Sequence, residues 1–281
     1  MIALNWFLNR VTKLPFMCLC LALAAQVANA QVIGQAEIGP NGCGPCAVVN
    51  SLSMAKNAKV LALLEGDSLQ DQAQSFINDF GDGESIPYGA RRAAYTKENG
   101  VADVDLLQML QKIWPQNQTP SVSGTYLNRE DDESPEEFVK RCHALMSASI
   151  DRGFHPLLSV RAMAAEHNKK DDKYEWNSKG GHWIAIHAVG EVTSDQRGFT
   201  FSFSDSLSGK ICTGYLYIDL ERPAVVPLDF TADDKGTEKW NWVSNSKTLT
   251  LIAPDMPLGT KRAKWHERTF IAVRYLISAE D

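Results

Sequence analysis

The sequence predicts an α+β fold in which helices come first and strands follow. Two observations carry this. Apolar residues recur at helical spacing from Cys43 to about Asp151, and after Gly153 the pattern changes to short alternating or wholly apolar runs. Segregation of this kind indicates α+β rather than a parallel α/β sheet. The chain has 281 residues, 44% hydrophobic and 22% charged, which is ample apolar material for one core. It shows no internal repeat and no low-complexity tract.

Residues 1–30 stand apart. They hold no acidic residue, Arg10 and Lys13 precede an apolar run over 14–27, and Ala28-Asn29-Ala30 ends it with small residues. This is the pattern of a cleaved signal peptide, and the run is short for a bilayer span of about 20 apolar residues. Residues 31–281 are then expected to form a single domain with surface insertions, secreted or periplasmic and without stable membrane insertion. Loss of Arg10 and Lys13 takes the formal charge from −6 to −8. An acidic chain with no basic cluster is a poor candidate for nucleic-acid binding. Cys18 and Cys20 leave with the leader, so Cys43, Cys46, Cys142 and Cys212 remain. They are too few for a disulfide-held scaffold and read as a reactive site plus one bridge. Leaving the Cys43 region free makes that bridge Cys142–Cys212. Oligomeric state is not legible.

The elements follow in order. Residues 31–42 form an extended lead-in. Val48, Val49, Leu52 and Met54 make a helix from Cys43 to about Lys56, and 61–66 and 69–80 read as further helix, with 81–89 a loop. Leu106, Leu107, Leu110 and Ile113 place a helix over 104–114. Residues 115–132 read as polar loop and carry the triplet Asn117-Gln118-Thr119, a glycosylation acceptor only in a eukaryotic secretory pathway. Ser134-Pro135-Glu136-Glu137 starts a helix to about Asp151, with Ser as cap, Pro in the first turn and Glu three residues after the cap. Strands are expected over 156–160, 183–189, 199–205, 213–220, 248–252 and 269–276, with 164–181 a charged loop.

Asn41-Gly42-Cys43-Gly44-Pro45-Cys46-Ala47 places a thiol where a Gly-containing loop becomes a helix. Unpaired N–H groups and the helix dipole there favour the reactive thiolate, and the same N–H groups can hold an oxyanion. A structural disulfide or a buried cysteine would account for the stretch equally well. Cys-Gly-Pro-Cys also equals the active-site tetrapeptide of thioredoxins, which set it after a buried strand and opposite a cis-proline that a strand follows. Here residues 31–42 are polar and glycine-containing, and Ile86-Pro87 precedes Tyr88-Gly89-Ala90-Arg91-Arg92, which does not read as a strand.

Gly180-Gly181-His182-Trp183-Ile184 puts a histidine at the start of an apolar strand. Alternation sends His182 and His187 to opposite faces, so they are no local metal pair. No His-Glu-x-x-His and no second Cys-x-x-Cys is present, so neither a metal nor any other cofactor is implied. On the following strand Phe199, Phe201, Phe203 and Asp205 share one parity. A carboxylate ending a buried aromatic row needs a partner, and a hairpin brings it to His182. A carboxylate on one imidazole nitrogen fixes the tautomer and leaves the other to activate a thiol. The plainer reading makes His182 a core histidine and Asp205 a turn residue.

Cysteine at a helix start, histidine on a strand and Asp or Asn on the next strand is the order of papain-like cysteine peptidases. The local motifs resemble the C39-like peptidases: Cys43-Gly44-Pro45 opening the first helix, Gly153-Phe154-His155-Pro156-Leu157-Leu158, Gly181-His182, and a strand ending in Asp205. Josephin-type deubiquitinases show a comparable order, with a His-Trp strand and Asn-Ser-Leu where this chain has Asp205-Ser206-Leu207. The resemblance covers roughly 35–209, in patches. It implies a papain-like fold, with the nucleophile at a helix start packed on an antiparallel sheet, and a catalytic set of Cys43, His182 and Asp205 acting on a peptide or protein substrate. The family's oxyanion glutamine lies six residues before the cysteine; here the nearest is Gln35, eight before, and the proline that usually follows the aspartate is Ser206. Papains themselves carry Cys-Gly-Ser-Cys with the second cysteine as nucleophile, so Cys46 is the alternative nucleophile or redox partner. The loop 164–181 reads as a substrate lid or as a solvated insertion. Three functions stay open: a peptidase or amidase, a thiol–disulfide oxidoreductase using Cys43 and Cys46, and a catalytically silent binding protein.

Overall fold

The computed structural model describes residues 31–54, 58–114, 120–168, 173–221, 224–258 and 269–281, and Val32–Asp281 cluster as one compact unit. The leader and the Asn117 triplet lie outside the described residues. The fold is α+β, a few helices against a large antiparallel sheet. No described helix is long and apolar enough to cross a membrane.

Helix α1 spans Cys43–Leu52, α2 Leu69–Phe80, α3 Asp103–Ile113 and α4 Pro135–Asp151. The α4 start is a full capping box: the Ser134 side chain accepts from the Glu137 N–H and the Glu137 carboxylate accepts from the Ser134 N–H. The helix expected over 61–66 is instead a single turn, Ala58–Leu61, followed by turns. The bonds after Leu61 tighten to i→i+3, and the following turn needs Gly66: its φ is +118°, and a Cβ there would stand 2.2 Å from Asp71 Cβ.

The sheet strands are β1 Ser121–Tyr126, β2 Leu157–Asn168, β3 Lys173–Val192, β4 Gly198–Asp205, β5 Lys210–Ile218, β8 Leu249–Ile252 and β9 Thr269–Glu280, with β6 Val225–Ala232 and β7 Glu238–Ser244 forming a separate hairpin. The order is β8-β5-β4-β3-β2-β9-β1, and a second pairing of β8 with β9 closes the first six strands on themselves. Three loop expectations are corrected here. Within 115–132, β1 pairs as an edge strand with β9; within 164–181, β2 and β3 run on as a paired arm; and within 81–89, Glu84–Ser85 pairs with Gly89–Ala93. The last also corrects the reading of 88–92 as non-strand.

Period-two alternation gives the sheet two apolar faces. Leu157, Trp183, Ala185 and Ile277 pack with α1, α2 and α3. Leu158, Val160, Ile184, Ile186, Phe199, Phe201 and Phe203 pack with Phe138, Val139, Cys142 and Met146 of α4. The expected Cys142–Cys212 bridge does not form; both are buried free thiols, and Cys212 Sγ lies 3.7 Å from Ser208 Oγ. Phe201 and Phe203 are fully buried and stacked at 5.0 Å between centroids. Truncating Phe201 to Ala should therefore cost about 3–5 kcal/mol, read as a lower urea midpoint with unchanged slope; an unmoved midpoint would mean that Phe201 is not core.

Candidate active site

The lead-in is tied down at two points. Asn50 of α1 accepts from the Ile33 N–H at 2.9 Å, and the Gln35 N–H donates to Ser206 O at 2.9 Å. The strand-like segment before Cys43 that a thioredoxin arrangement requires is absent; a 3-10 turn, Gln35–Glu37, stands there. The chain then turns into α1 with Gly42 as cap and Cys43 as first residue. Asn41 Nδ2 donates to Lys97 O at 2.9 Å and Glu98 O at 2.8 Å, holding the 97–99 turn, which joins the paired Tyr95–Thr96 and Gly100–Val101, against the helix start. A Cβ on Gly44 would stand 2.5 Å from Val101 Cγ1, so this glycine permits close packing.

His182 on β3 lies opposite Val160 of β2. On its other side, β4 ends at Asp205, paired with Ile184. The Ile186 N–H points to β2, donating to Pro156 O, so by alternation the Trp183 N–H points past the end of β4. There it faces the Cys43 sulfur, and it, the Gly44 N–H and the His182 side chain all favour the charged thiolate. His182 Nε2 contacts Asp205 Oδ1 at 2.7 Å, which leaves Nδ1 for the thiol. Asp205 is fully buried and accepts from the Leu207 N–H at 3.1 Å and the Ser208 N–H at 3.0 Å. It is thus both turn former and hydrogen-bond partner of the histidine.

Burial alone would raise the Cys43 pKa; the hydrogen bond and charge of His182, then the Trp183 and Gly44 N–H groups, outweigh it and hold the thiol below its ordinary range. Burial would lower His182, but the hydrogen bonds to Asp205 and Cys43 push it up to about 9. Burial would raise Asp205, and the bonds from His182 and Ser208 hold it down. The favoured state is a thiolate–imidazolium pair beside a carboxylate. Cys46, three residues on and fully buried, has its thiol pushed up by burial and by Cys43 and Glu37 nearby. Of the two cysteines, Cys43 is the one in contact with His182.

Gln35 is buried beside this cluster, with Nε2 donating to Pro40 O at 2.8 Å and Oε1 accepting from Ser206 Oγ at 3.4 Å. His187 points elsewhere, contacting Ser204 Oγ at 2.5 Å, and burial followed by His155 lowers it to about 3. Among the described residues no group of three His, Cys, Asp or Glu is placed to hold a metal ion. Sequence reading passed over Tyr95, buried near Cys43 and Cys46, and the Trp183 N–H, which no side-chain pattern could reveal. No family model, curated protein or solved structure matches the chain.

The pH dependence follows from these shifts. Thiolate forms as pH rises through the lowered Cys43 pKa, and the ion pair is lost as pH rises through the His182 value of about 9. Alkylation of Cys43 by iodoacetamide should therefore be fast well below the ordinary thiol pKa of about 8.5. His182→Ala leaves burial uncompensated and should move the alkylation profile to higher pH; an unmoved profile would show that His182 does not act on the thiol.

Proposed function

We propose that the chain is an exported cysteine hydrolase of the papain-like kind, closest to the C39-like peptidases, cleaving a peptide or amide bond. The observation supporting this is the contact series from Cys43 at the start of α1 to His182 and on to Asp205. Its parts have the order and the electrostatics that acyl transfer needs.

In this reading Cys43 thiolate attacks the carbonyl carbon, and the displaced electron pair moves onto oxygen. The Cys43 N–H, in the first helical turn where no intrahelical acceptor exists, faces that oxyanion, with the second Nε2 hydrogen of Gln35 as its partner donor. The intermediate collapses, and the leaving amine takes a proton from His182 Nδ1. Water then gives a proton to Nδ1 and attacks the thioester, releasing the acid and restoring the thiolate. Asp205 holds the imidazole in one tautomer throughout. The arm of β2 and β3 beyond His182 takes the place of the lid expected over 164–181.

Substitution separates the open functions. His182→Ala should lower kcat/KM on a peptide amide by about 10²–10⁴-fold, and Cys43→Ala should abolish turnover. A dithiol exchanger would tolerate loss of His182 and need both cysteines. A catalytically silent protein would show no hydrolysis and no labelling of Cys43 by thiol-directed peptidase inhibitors. If Cys46→Ser removes hydrolysis while Cys43→Ser keeps it, the nucleophile is Cys46.

Cys43 and Cys46 sit three apart at a helix start, near one face. Oxidised glutathione should join them by thiol–disulfide exchange, with reduced glutathione as the other product, and so silence the nucleophile. Activity should then return with a reductant, and Cys46→Ser should remain active without one. Equal sensitivity of wild type and Cys46→Ser to oxidised glutathione would reject the pairing.

A further inference from the structure

The reaction above leaves unused a cationic patch that borders the residue before His182. Arg161 of β2 lies opposite Gly181 of β3. Gly181 is exposed, and a Cβ there would stand 3.5 Å from Arg161 Nη2, so the guanidinium flanks open surface one residue from the base. Its other contacts leave it undercompensated. Nη1 donates to Ser178 Oγ at 3.0 Å, the guanidinium carbon lies 4.9 Å from the Trp240 ring centroid, and Nε is buried with no partner. Among the described residues no carboxylate lies within ion-pairing distance of Arg161.

The nearby carboxylates are taken. Asp103 approaches Arg274 at 3.1 Å as an ion pair, its Oδ2 making no hydrogen bond, and its Oδ1 accepts from Ser159 Oγ at 2.9 Å. Glu238 accepts from the Tyr88 hydroxyl and from Trp240 Nε1. Arg274 itself lies 5.1 Å from the same Trp240 ring, adding a second cation. Burial and then Arg274 lower the Arg161 pKa to about 10, which leaves it charged at neutral pH. A half-buried guanidinium held without a counter-charge carries a desolvation cost that an incoming carboxylate relieves. The planar fork of arginine suits that group better than an ammonium would.

The geometry points to Arg161 as the anchor for a carboxylate of the substrate, within one or two residues of the cleaved bond. This deepens the hydrolase reading and rests on it. The chain as a whole is acidic, with formal charge −6, so long-range attraction does not supply the preference. It arises from local pairing and persists at high salt, since a half-buried pair is screened less than a surface one.

The test uses the full exported chain and three acyloxymethyl ketone peptides, reading the rate of Cys43 labelling by mass spectrometry. One carries Glu beside the reactive ketone, one Gln at that place, and one Gln with a free terminal carboxylate. The better carboxylate probe should label wild type about 10–100-fold faster than the neutral probe, the range of a charge-assisted hydrogen bond. Whichever carboxylate probe gains identifies the source, side chain or chain terminus. Arg161→Gln should bring the ratio close to one, and Arg161→Lys should leave an intermediate ratio. A wild-type ratio near one, with the neutral probe labelling Cys43 well, would overturn the anchor and leave the hydrolase standing. A large ratio undiminished in Arg161→Gln would overturn it too, and if that variant does not fold, Arg161→Lys and the wild-type ratio decide. Failure of every probe to label Cys43 would overturn the hydrolase reading and this inference together.

Discussion

The hydrogen bond between His182 Nε2 and Asp205 Oδ1, 2.7 Å long and shut away from water, is the contact on which the rest of the site depends. A carboxylate with no solvent exposure must have all its partners inside the protein. Asp205 finds them in His182 and in the Leu207 and Ser208 N–H groups. Those two N–H bonds shape the turn that carries the chain back into β5, closed by the Gly209 N–H on Asp205 O at a φ of +65°. One side chain therefore ends β4, builds a hairpin turn and orients an imidazole. Because β4 ends there, the next stretch of β3 has room beside it for the start of α1. A buried ion pair of this kind adds little net stability, since desolvation offsets most of its attraction. Its consequence is orientation: with Nε2 engaged, Nδ1 is left for the sulfur.

Cys43 and Cys46 give an internal comparison of what shifts a thiol. Both lie in the first turn of the same helix, so the helix dipole acts on both. Burial works against the thiolate in each case, and for Cys46 it prevails. For Cys43 it is overcome, and the difference is the His182 imidazole with the Trp183 and Gly44 N–H groups. A helix start is thus insufficient by itself to activate a thiol here. The decisive contribution comes from a strand distant in sequence, and the close packing at Gly44 against Val101 helps fix where the helix start lies.

This explains which parts were legible in the sequence. Elements with one strongly apolar face announced themselves: α2 and α4 agree with their expected limits to within a residue, and the Phe199-Phe201-Phe203 row identified β4 with its terminal Asp205. β1 is not legible because Ser121-Val122-Ser123-Gly124-Thr125-Tyr126 is an edge strand with Val122 as its one buried residue. The arm of β2 and β3 reads as a loop in the sequence because charged residues such as Glu166, Glu175 and Lys179 interrupt alternation, although the backbone pairs from Arg161 to Asn168 with one bulge at Lys179. The β6–β7 hairpin was missed for a related reason: Lys239, Asn241 and Trp242 face solvent. The cysteine bridge failed because counting thiols says nothing about where α4 and β5 place them. The thiol, histidine and aspartate were legible because each sits at an element boundary whose sequence marks it, whereas Gln35 was visible only through family resemblance.

Arg161 shows why some groups stay hidden even with the fold in view. In sequence it is one arginine in an apolar strand, and the ordinary expectation is a nearby carboxylate. Asp103 would serve, since it receives Ser159, two residues from Arg161 on the same side of β2. Arg274 of β9 faces that carboxylate instead, 3.1 Å away as an ion pair, while its hydrogen bonds run to Leu228 O. Two cations thus converge on Trp240 around one buried acid. Strand pairing then decides where the uncompensated one stands. A register shift of one residue would place Arg161 on the face occupied by Val160 and α4. In the observed register it stands beside exposed Gly181, and the strand that carries His182 also brings the neighbouring guanidinium to the surface.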